Sequence, residues 1–440
     1  MKYQDLDQYV EYLRKFPRFG SEEYLRLHRI NALLAELGHP ERQLKGFQVA
    51  GTNGKGSTVA FLDSVLRQAG FRVGAFYSPH LVSYTERFRL NGRPISQTRM
   101  AQLVSAIKPA VDRVTEQLHD QPTWFEVLTA AAAVYFAREK VDWVVFEVGL
   151  GGRLDATTAL GLKYKVITEI GMDHAHILGR SIKRIAKEKA GIIKPGDIVI
   201  TTNSGKALKV IQSRSQKTRA RLLEMPKISL EQLEIGKTLF TIKSTKKELS
   251  VEIALVGARQ AINAAAVFEI LRRVLRLPAK TVLAGLKRTR LEGRFEVIRK
   301  KPLTILDGAH NLPAISHLLK TLKELGYSKE RLITVFGVKE RKNYWPMVKL
   351  LGRRSKMIIF PKLAIPNMVS AQELKRIYPA GRVKSSLPKA LAFAKTISGK
   401  NDMILITGSF YLAGEVLRLL RPKTSKRVDR MDDNQLEQKT

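Results

Sequence analysis

A glycine-rich turn carries the clearest chemical signal in the sequence. An apolar strand leads into QVAGTNGKGST (48–58), and a helix is predicted over 58–70. In such a turn the backbone N–H groups face phosphate oxygens, and the helix dipole adds positive potential. Lys55 is placed to reach the outer phosphates and Ser57 to approach Mg²⁺, although Gly56 separates them, unlike in the standard phosphate loop. The turn predicts a nucleotide site made by Thr52, Asn53, Gly54, Lys55, Gly56, Ser57 and Thr58.

Four further side chains of catalytic type follow predicted strands. Glu147 closes a buried run in the first half of the chain, and His174 follows the next run. In the second half, Asp307 and His310 lie in the turn DGAHN between a strand and a helix. Because ligands of α/β proteins bind at the carboxyl ends of parallel strands, we expect these groups to face one cleft, where a carboxylate suits Mg²⁺. The alternatives are a surface ion pair for Glu147 or His174 and a helix N-cap for Asp307.

The elements that must position these residues alternate between short apolar runs and helical stretches. The first half predicts parallel strands at 46–50, 72–77, 143–148, 165–170 and 197–201. Shorter segments over 228–253 predict a small antiparallel sheet, and an Ala-rich helix over 261–274 carries Asn263 near its start. After Gly293 the rhythm restarts, with strands predicted at 303–306, 332–336, 356–360 and 403–407.

This rhythm assigns the chain to the α/β class. The prediction is a P-loop-containing, central-sheet α/β domain over 1–290, followed by a smaller α/β domain over 291–422. A length of 440 residues is in keeping with two domains. Residues 423–440 are polar and aperiodic, so we expect a disordered tail there.

Composition limits the classes of chemistry. The chain contains no Cys, which excludes disulfides, thiolate zinc sites and a Cys nucleophile. The first 20 residues read as an amphipathic helix rather than a signal peptide, and no apolar run approaches the roughly 18–20 residues of a membrane span. We therefore expect a cytoplasmic protein without a membrane partner. The net charge of +37 fits either a nucleic-acid partner or a basic bias spread over solvated surfaces, and the second is favoured because no nucleic-acid motif is present.

The loop and the segments after it resemble the Mur ligase superfamily. The GKGS variant is similar to the folylpolyglutamate synthase/dihydrofolate synthase branch, and seven further segments follow in that branch's order: YSPHL (77–81), FEVGLGGRLDA (146–156), IGMDH (170–174), EKAGI (188–192), GR (293–294), LDGAHN (306–311) and TGSFYL (407–412). The resemblance spans residues 10–420. It implies the Mur ligase architecture, in which an ATPase domain precedes a Rossmann-like glutamate ligase domain and catalysis takes place between them.

The resemblance also implies roles for individual residues. Two Mg²⁺ ions would be held by Ser78, Glu147, His174 and Lys189, with Lys189 carbamylated into a carboxylate-like ligand. From the residues alone, a Lys on this Lys-rich helix is an ordinary solvated charge. Catalysis is expected from Lys55, Lys189, Asp307 and His310, and ATP would also contact Asn263, Arg294 and Asp307. A folate would lie against Phe125, Glu126, Leu154, Asp155 and Ala156, with a mobile loop over 83–93 closing on it; the alternative for the aromatic segment is ordinary core packing.

The implied activity is that of a monomeric, ATP-dependent ligase in folate and one-carbon metabolism. It would add L-glutamate to a folate, or also to dihydropteroate, through an acyl phosphate. Four departures from the branch's pattern leave the acid substrate open: Thr158 in place of Asn, Arg259 in place of His, Leu291 in place of Trp or Pro, and the lack of an Asp after Lys in 336–343. The alternatives are a Mur-type ligase acting on another acid and, less favoured, a basic nucleic-acid-binding ATPase.

Overall fold

The computed structural model describes Tyr12, Phe16 and residues 26–243 and 248–421. The predicted tail over 423–440 and, apart from Tyr12 and Phe16, the predicted N-terminal helix lie outside the described residues. The described chain forms three sheets, of eight, three and six strands. The predicted α/β class is confirmed. Within the described ranges, no helix combines the length and apolarity needed to cross a bilayer.

The eight-stranded sheet is the centre of the first half of the chain. Its strands are β1 Gly46–Ala50, β2 Val73–Phe76, β3 Phe88–Leu90, β4 Arg93–Pro94, β5 Trp143–Glu147, β6 Tyr164–Ile167, β7 Ile198–Thr201 and β8 Arg221–Leu222. They lie in the order β4-β3-β2-β5-β1-β6-β7-β8, and every pair from β2 to β8 is parallel. Every residue of β1 and β5 is buried, as continuous apolar runs in a parallel sheet require.

Helices cover both faces of this sheet. They are α1 His28–Glu36, α2 Lys55–Gln68, α3 Gln97–Leu118, α4 Trp124–Arg138, α5 Ala175–Leu178, α6 Ile182–Ala190, α7 Gly205–Lys217, α8 Ala258–Val274 and α9 Ala279–Arg288. Helix α2 begins three residues before the predicted start at residue 58. The reason is Gly54, whose φ of 88° is left-handed, so that it closes the turn and lets the helix begin at once.

A small antiparallel sheet lies beside α8 and α9. Its strands are β9 Lys227–Glu234, β10 Lys237–Lys243 and β11 Glu248–Ile253, so it begins one residue before the predicted segment over 228–253 and ends with it. Phe240, Ile242, Val251 and Ile253 turn inward and join the core that α2 and α8 also bury. The small sheet therefore extends one core of the first unit rather than forming a core of its own.

The second half of the chain is built on the six-stranded sheet. Its strands are β12 Glu296–Lys300, β13 Leu303–Leu306, β14 Leu332–Phe336, β15 Met357–Pro361, β16 Arg382–Lys384 and β17 Met403–Thr407, in the order β12-β13-β17-β14-β15-β16. All pairs are parallel except β12 with β13. The helices are α10 Leu312–Glu324, α11 Tyr344–Arg354, α12 Ala371–Ile377, α13 Leu387–Ile397 and α14 Phe410–Leu420.

The two units meet along one edge. The chain passes from α9, which ends at Arg288, to β12, which begins at Glu296, and this interval contains the predicted boundary at 290/291. Arg418 of α14 donates to the carbonyl of Val82 at 3.0 Å, and a Cβ on Gly414 would lie 2.1 Å from the carbonyl oxygen of Leu81. The cleft between the two sheets is therefore closed at this end by direct packing.

The segment over 83–93, predicted as a mobile clamp, is a packed element. Ser83 and Glu86 form a capping box around a 3₁₀ turn, and β3 follows directly. Tyr84 and Arg87 are buried. Most of the expected loop is therefore regular structure packed on the first unit, and its closure on a substrate stays a prediction.

Candidate functional site

A single cleft of about 810 Å³ brings most of the predicted site residues together. Its walls come from the carboxyl ends of β1, β5 and β6 on one side and of β13 and β17 on the other. The predicted residues that line it are Thr52, Asn53, Gly54, Lys55, Gly56, Ser57, Ser78, Phe125, Glu147, His174, Lys189, Asn263, Arg294, Asp307 and His310. The predicted residues that do not line it are Thr58, Glu126, Leu154, Asp155 and Ala156.

The glycine-rich turn is held open by backbone contacts. The amides of Thr52 and Asn53 donate to the carbonyl of Glu169 at 2.7 and 3.3 Å, and Gly54 packs against the amide of Asn263. Lys55 folds back, so that its Nζ donates to the carbonyls of residues 51 and 52 at 3.2 and 3.3 Å. Burial lowers the pKa of Lys55. The ammonium is therefore held on its own turn, where a phosphate anion would compete with these two carbonyls for it.

Thr58 differs from its neighbours in the turn. Its side chain is fully buried at the fourth residue of α2, and its Oγ1 has no hydrogen-bond partner among the described residues. The expected contact of the Thr58 side chain with the nucleotide is therefore corrected, because this side chain is buried in the interior and does not line the cleft.

The residues predicted as metal ligands surround the turn. The Oε2 of Glu147 accepts the backbone N–H of Ser78 at 3.0 Å, and Glu147 is 4% exposed. Burial raises the pKa of this carboxyl. A Cβ on Gly56 would lie 3.5 Å from the same Oε2, so the carboxylate faces the start of α2.

His174 and Lys189 stand on the other side of the turn. His174 Nε2 accepts a hydrogen bond from Lys342 Nζ at 3.1 Å, and burial lowers the pKa of His174 to about 3, so the ring is neutral. Lys189 Nζ donates to the carbonyl of Gly51 at 2.7 Å, and burial lowers its pKa to about 7. No group of three His, Asp or Glu side chains in the described ranges is arranged to hold a metal without further ligands.

This donor set fits Mg²⁺ bound together with phosphate. Mg²⁺ takes one or two protein carboxylates and fills its remaining positions with phosphate oxygens and water. Glu147 supplies one buried carboxylate, and Ser78 lies next to it with an oxygen that already accepts from Arg87 at 3.5 Å. The protein therefore need not supply a complete set of metal ligands on its own.

On the facing wall, Asp307 is held by backbone donors. Its two carboxylate oxygens accept the amides of Phe295 and Ala309, both at 2.8 Å. Burial raises the pKa of Asp307. The N-cap of α10 is Asn311, whose Oδ1 accepts from Ala314 at 2.9 Å, so the alternative that Asp307 caps this helix is excluded.

Arg294 and His310 flank Asp307. The Arg294 guanidinium lies over the ring of Phe410 at 4.2 Å, and it is buried, which lowers its pKa. His310 Nδ1 donates to the carbonyl of Gly308 at 2.9 Å. Its Nε2 lies 3.6 Å from a carboxylate oxygen of Asp173, and burial lowers the pKa of His310.

Asp173 and Lys342 were not predicted, yet they join the two walls. Asp173 accepts from Lys342 Nζ at 2.6 Å and from Asn311 Nδ2 at 3.0 Å. Burial disfavours the charged carboxylate, but contacts with His310 and Lys342 outweigh this and hold the pKa of Asp173 well below its usual value. Asp173 precedes His174 in the IGMDH segment, so its position after a strand could have identified it. Lys342 carries no local signal that separates it from the many surface lysines.

A reciprocal amide pair also crosses the cleft. Asn311 Nδ2 donates to Asn53 Oδ1 at 2.9 Å, and Asn53 Nδ2 donates back to Asn311 Oδ1 at 3.3 Å. The phosphate turn of the first unit is thereby tied to Asn311, the N-cap of α10 in the second unit.

The predicted substrate residues divide into two groups. Phe125 lines the cleft, where its ring packs against Gly149. Glu126 is 1% exposed, pairs with Arg29 at 3.0 Å and accepts the amide of Thr123 at 2.6 Å. The expected contact of Glu126 with a substrate is therefore corrected, because its carboxylate is engaged in a buried ion pair with Arg29 and in the N-terminal cap of α4.

Asp155 is likewise a buried positioning residue. Its carboxylate accepts the amides of Gly149 and Leu150 at 3.0 and 2.9 Å, and the amide and hydroxyl of Thr157 at 3.0 and 2.6 Å. With four donors and no exposed area, it has no capacity left for a ligand. Ala156 is buried beside it. The predicted contacts of Leu154, Asp155 and Ala156 with a substrate are therefore corrected, because none of the three lines the cleft. Asp155 instead holds the turn at 149–150, which does line it.

A buried network of polar side chains connects Asp155, through Thr157, to Gln48 of β1. Gln48 Nε2 donates to the hydroxyls of Thr157 and Thr158 at 2.9 and 2.8 Å, and its Oε1 accepts from Lys165 Nζ at 3.0 Å. Lys165 also lies 3.7 Å from a carboxylate oxygen of Asp197. The departure at Thr158 therefore belongs to an interior network and not to the cleft surface.

The departure at Arg259 lies at the rim of the cleft. Arg259 pairs with Glu169 at 2.7 Å, and its Nε donates to His317 Nε2 at 3.3 Å. Because Glu169 also supplies the carbonyl that fixes the phosphate turn, this cluster ties the start of α8 and helix α10 to that turn.

Two family models match the chain in sequence. The Mur ligase middle domain matches residues 49–271, and the Mur ligase glutamate ligase domain matches residues 293–410. A dihydrofolate synthase/folylpolyglutamate synthase of Bacillus subtilis is 36% identical over 414 residues, which cover 90% of this chain and 95% of the relative.

Solved structures agree with the sequence matches. The folylpolyglutamate synthase of Mycobacterium tuberculosis complexed with ADP has a TM-score of 0.88 and 28% identity, and covers 95% of this chain and 98% of its own. A bifunctional folylpolyglutamate synthase/dihydrofolate synthase with Mn, AMPPNP and L-glutamate bound has a TM-score of 0.83 and 28% identity, with 94% and 98% covered. The resemblance and the Mur ligase architecture expected from the motifs are confirmed.

Proposed function

The chain belongs to the Mur ligase family, on its folylpolyglutamate and dihydrofolate synthase branch, and we propose that it joins L-glutamate to a folate carboxylate at the expense of ATP. The observation that carries the proposal is one cleft with the Lys55 turn on one wall and the Asp307–His310 turn on the other. An ATP-driven amide ligase must hold a γ-phosphate, an acid and an amine at one point, and this requires groups from both walls.

The first step forms an acyl phosphate. A carboxylate oxygen of the acid attacks the γ-phosphorus of ATP, the bond to the β-phosphate oxygen breaks, and ADP leaves. Negative charge spreads over the transferred phosphoryl oxygens, and catalysis of such a transfer is chiefly positioning and electrostatics. Lys55 and Arg294 are two of the cations that line the cleft, one on each wall.

Mg²⁺ completes the charge balance. We assign Ser78, Glu147 and His174 as its protein ligands, since they supply oxygen and a neutral imidazole around the phosphate turn. When bound, the ion would neutralise phosphate charge and orient the triphosphate.

Carbamylation of Lys189 would add a ligand for a second ion. Lys189 is 5% exposed, and its ammonium donates to the carbonyl of Gly51 beside a second buried cation, Lys55. Addition of CO₂ to the neutral amine forms a carbamate and releases a proton, which converts this unfavourable pair of cations into a pair of opposite charges. The location in the cleft supports this proposal.

The second step forms the amide. The amino group of glutamate attacks the acyl carbon, and inorganic phosphate leaves with the bonding electrons. The attacking amine must give up a proton, and His310, which lines the cleft between the Gly308 carbonyl and Asp173, is an imidazole placed to accept it. Asp307, fixed by two amides, contributes a buried carboxylate at the same turn.

A phosphate-release assay tests the proposal. Purified protein is given ATP, Mg²⁺ and L-glutamate, with tetrahydrofolate, dihydropteroate or a muramyl acid in parallel. Glutamate-dependent release with tetrahydrofolate is expected, and release with dihydropteroate would add the second activity of the branch. Release with the muramyl acid alone would overturn the folate proposal in favour of a Mur-type ligase for another acid.

A further inference from the structure

A strongly basic surface lies on the two helices α6 and α7 and on the residues that flank them. It consists of nine exposed cations, Arg180, Lys183, Arg184, Lys187, Lys206, Lys209, Lys217, Arg219 and Arg221. Those of α6 recur at three- and four-residue intervals, which places them on one side of the helix. We call this surface the α6–α7 basic face.

Acidic partners are missing from this surface. Between residues 180 and 221 the sequence contains only two acids, Glu188 and Asp197. Glu188 pairs with Arg153 at 3.1 Å, and Asp197 is buried near Lys165. Within the described ranges none of the nine side chains forms an ion pair. An array of like charges raises the free energy of the folded chain, so it is expected to attract an anionic partner.

The face begins at the rim of the catalytic cleft. Leu178, at the end of α5, lines the cleft beside Gly151, and Arg180 follows two residues later. Gly179 turns the chain at φ 98°, and a Cβ there would lie 2.7 Å from Cδ of Arg184. The stem of Arg184 therefore packs on the turn that joins the cleft wall to the basic face.

We infer that the α6–α7 basic face binds the poly-γ-glutamate tail of the folate substrate. This inference rests on the proposed function, because each turnover would add one α-carboxylate to the same molecule at the cleft. The terminal γ-carboxylate of the tail must stay at the reaction point, so the α-carboxylates along the tail are the groups that remain for this array, which begins two residues beyond Leu178 at the rim. Nucleic acid is disfavoured because residues 179–222 contain no aromatic side chain on which a base could stack.

Steady-state kinetics with two substrates tests the inference. Tetrahydrofolates carrying one or four glutamates are compared in the wild type, in an R180E/K183E/K187E variant, and in a K375E/R376E/K389E variant with the same change of charge on exposed positions of the second unit. We expect the first variant to raise KM for the tetraglutamate about tenfold and to leave the monoglutamate kinetics unchanged, while the second changes neither. The effect should shrink in 0.5 M salt, because added salt screens exposed charges.

The outcomes separate the two proposals. Turnover of the monoglutamate with equal tetraglutamate KM in all three proteins overturns the basic-face inference alone. No turnover of either folate by the wild type overturns the proposed function and the inference together. A glutamine version of the first variant guards against misfolding: it should show a smaller rise in tetraglutamate KM at an unchanged thermal midpoint, and no rise contradicts the inference. Loss of RNA binding in a gel shift, with KM unaffected, would assign the face to nucleic acid instead.

Discussion

Replacement of Asp155 by Asn tests whether this residue supports the cleft or touches the substrate. The Asn side chain can keep its oxygen on Thr157, but its NH₂ group then faces the amides of Gly149 and Leu150, which are donors themselves. Two hydrogen bonds to a charged acceptor are lost, each contributing about 1.5–3 kcal/mol. Removal of a buried charge offsets part of this, since burial alone raises the pKa of Asp155. We expect a net loss of ~3 kcal/mol in the free energy of unfolding.

The measurement is urea unfolding followed by tryptophan fluorescence, with kinetics of the same preparations. Trp124 and Trp143 both lie in the first unit and report on its unfolding. Because the turn at 149–150 packs on Phe125, the variant should also raise KM for the folate more than it lowers kcat. Asp112→Asn, at an exposed position of α3, is the matched control and should change the free energy of unfolding by less than about 0.5 kcal/mol. Unchanged stability together with a large loss of kcat would refute the argument, because it would mean that Asp155 acts on the substrate directly.

Three further changes probe other buried groups. The first is Lys165→Met. Folding lowers the pKa of Lys165 from 10.5 to about 8, so the protonated side chain destabilises the fold fully below pH 8 and progressively less as the pH rises to 10.5. In urea unfolding, the stability of the wild type relative to the variant should therefore increase by about 3 kcal/mol between pH 7.5 and 10.5, and a constant difference would contradict this. Lys189→Ala should abolish phosphate release, and intact-protein mass spectrometry of the wild type should show one added CO₂; near-normal turnover would exclude an essential role. Lys342→Met leaves Asp173 without its nearest cation and should lower stability by about 3 kcal/mol in thermal unfolding, whereas Lys349→Met on exposed α11 should not.

The strands of the two large sheets could be predicted closely because they are continuous apolar runs. The predicted bounds of β1, β13, β14 and β17 coincide with the observed ones. By contrast, β12 is largely exposed and carries no apolar run, so the sequence offered no sign of it. Hydrophobic periodicity in a sequence reflects burial, so an edge strand with few buried residues shows no such pattern.

The candidate site was predictable where a motif is local in sequence. The phosphate turn and the 307–311 turn each lie within a few residues, and the structure brings them to one cleft. The pairs Arg29–Glu126 and Asp173–Lys342 join residues 97 and 169 positions apart, and no local pattern links their members. For the same reason Glu126 and Asp155 were expected at the substrate: a carboxylate next to a motif looks available until its distant partners are known.

The amide pair between Asn53 and Asn311 has a consequence for the order of events. Asn311 Oδ1 both starts α10 and accepts from the phosphate turn, so any swing of the second unit away from the first must release the turn at the same moment. A triphosphate settling on that turn competes for the neighbouring groups that hold it. Binding of the nucleotide and the contact between the two units are therefore linked, and ATP is expected to be the first of the three reactants to bind.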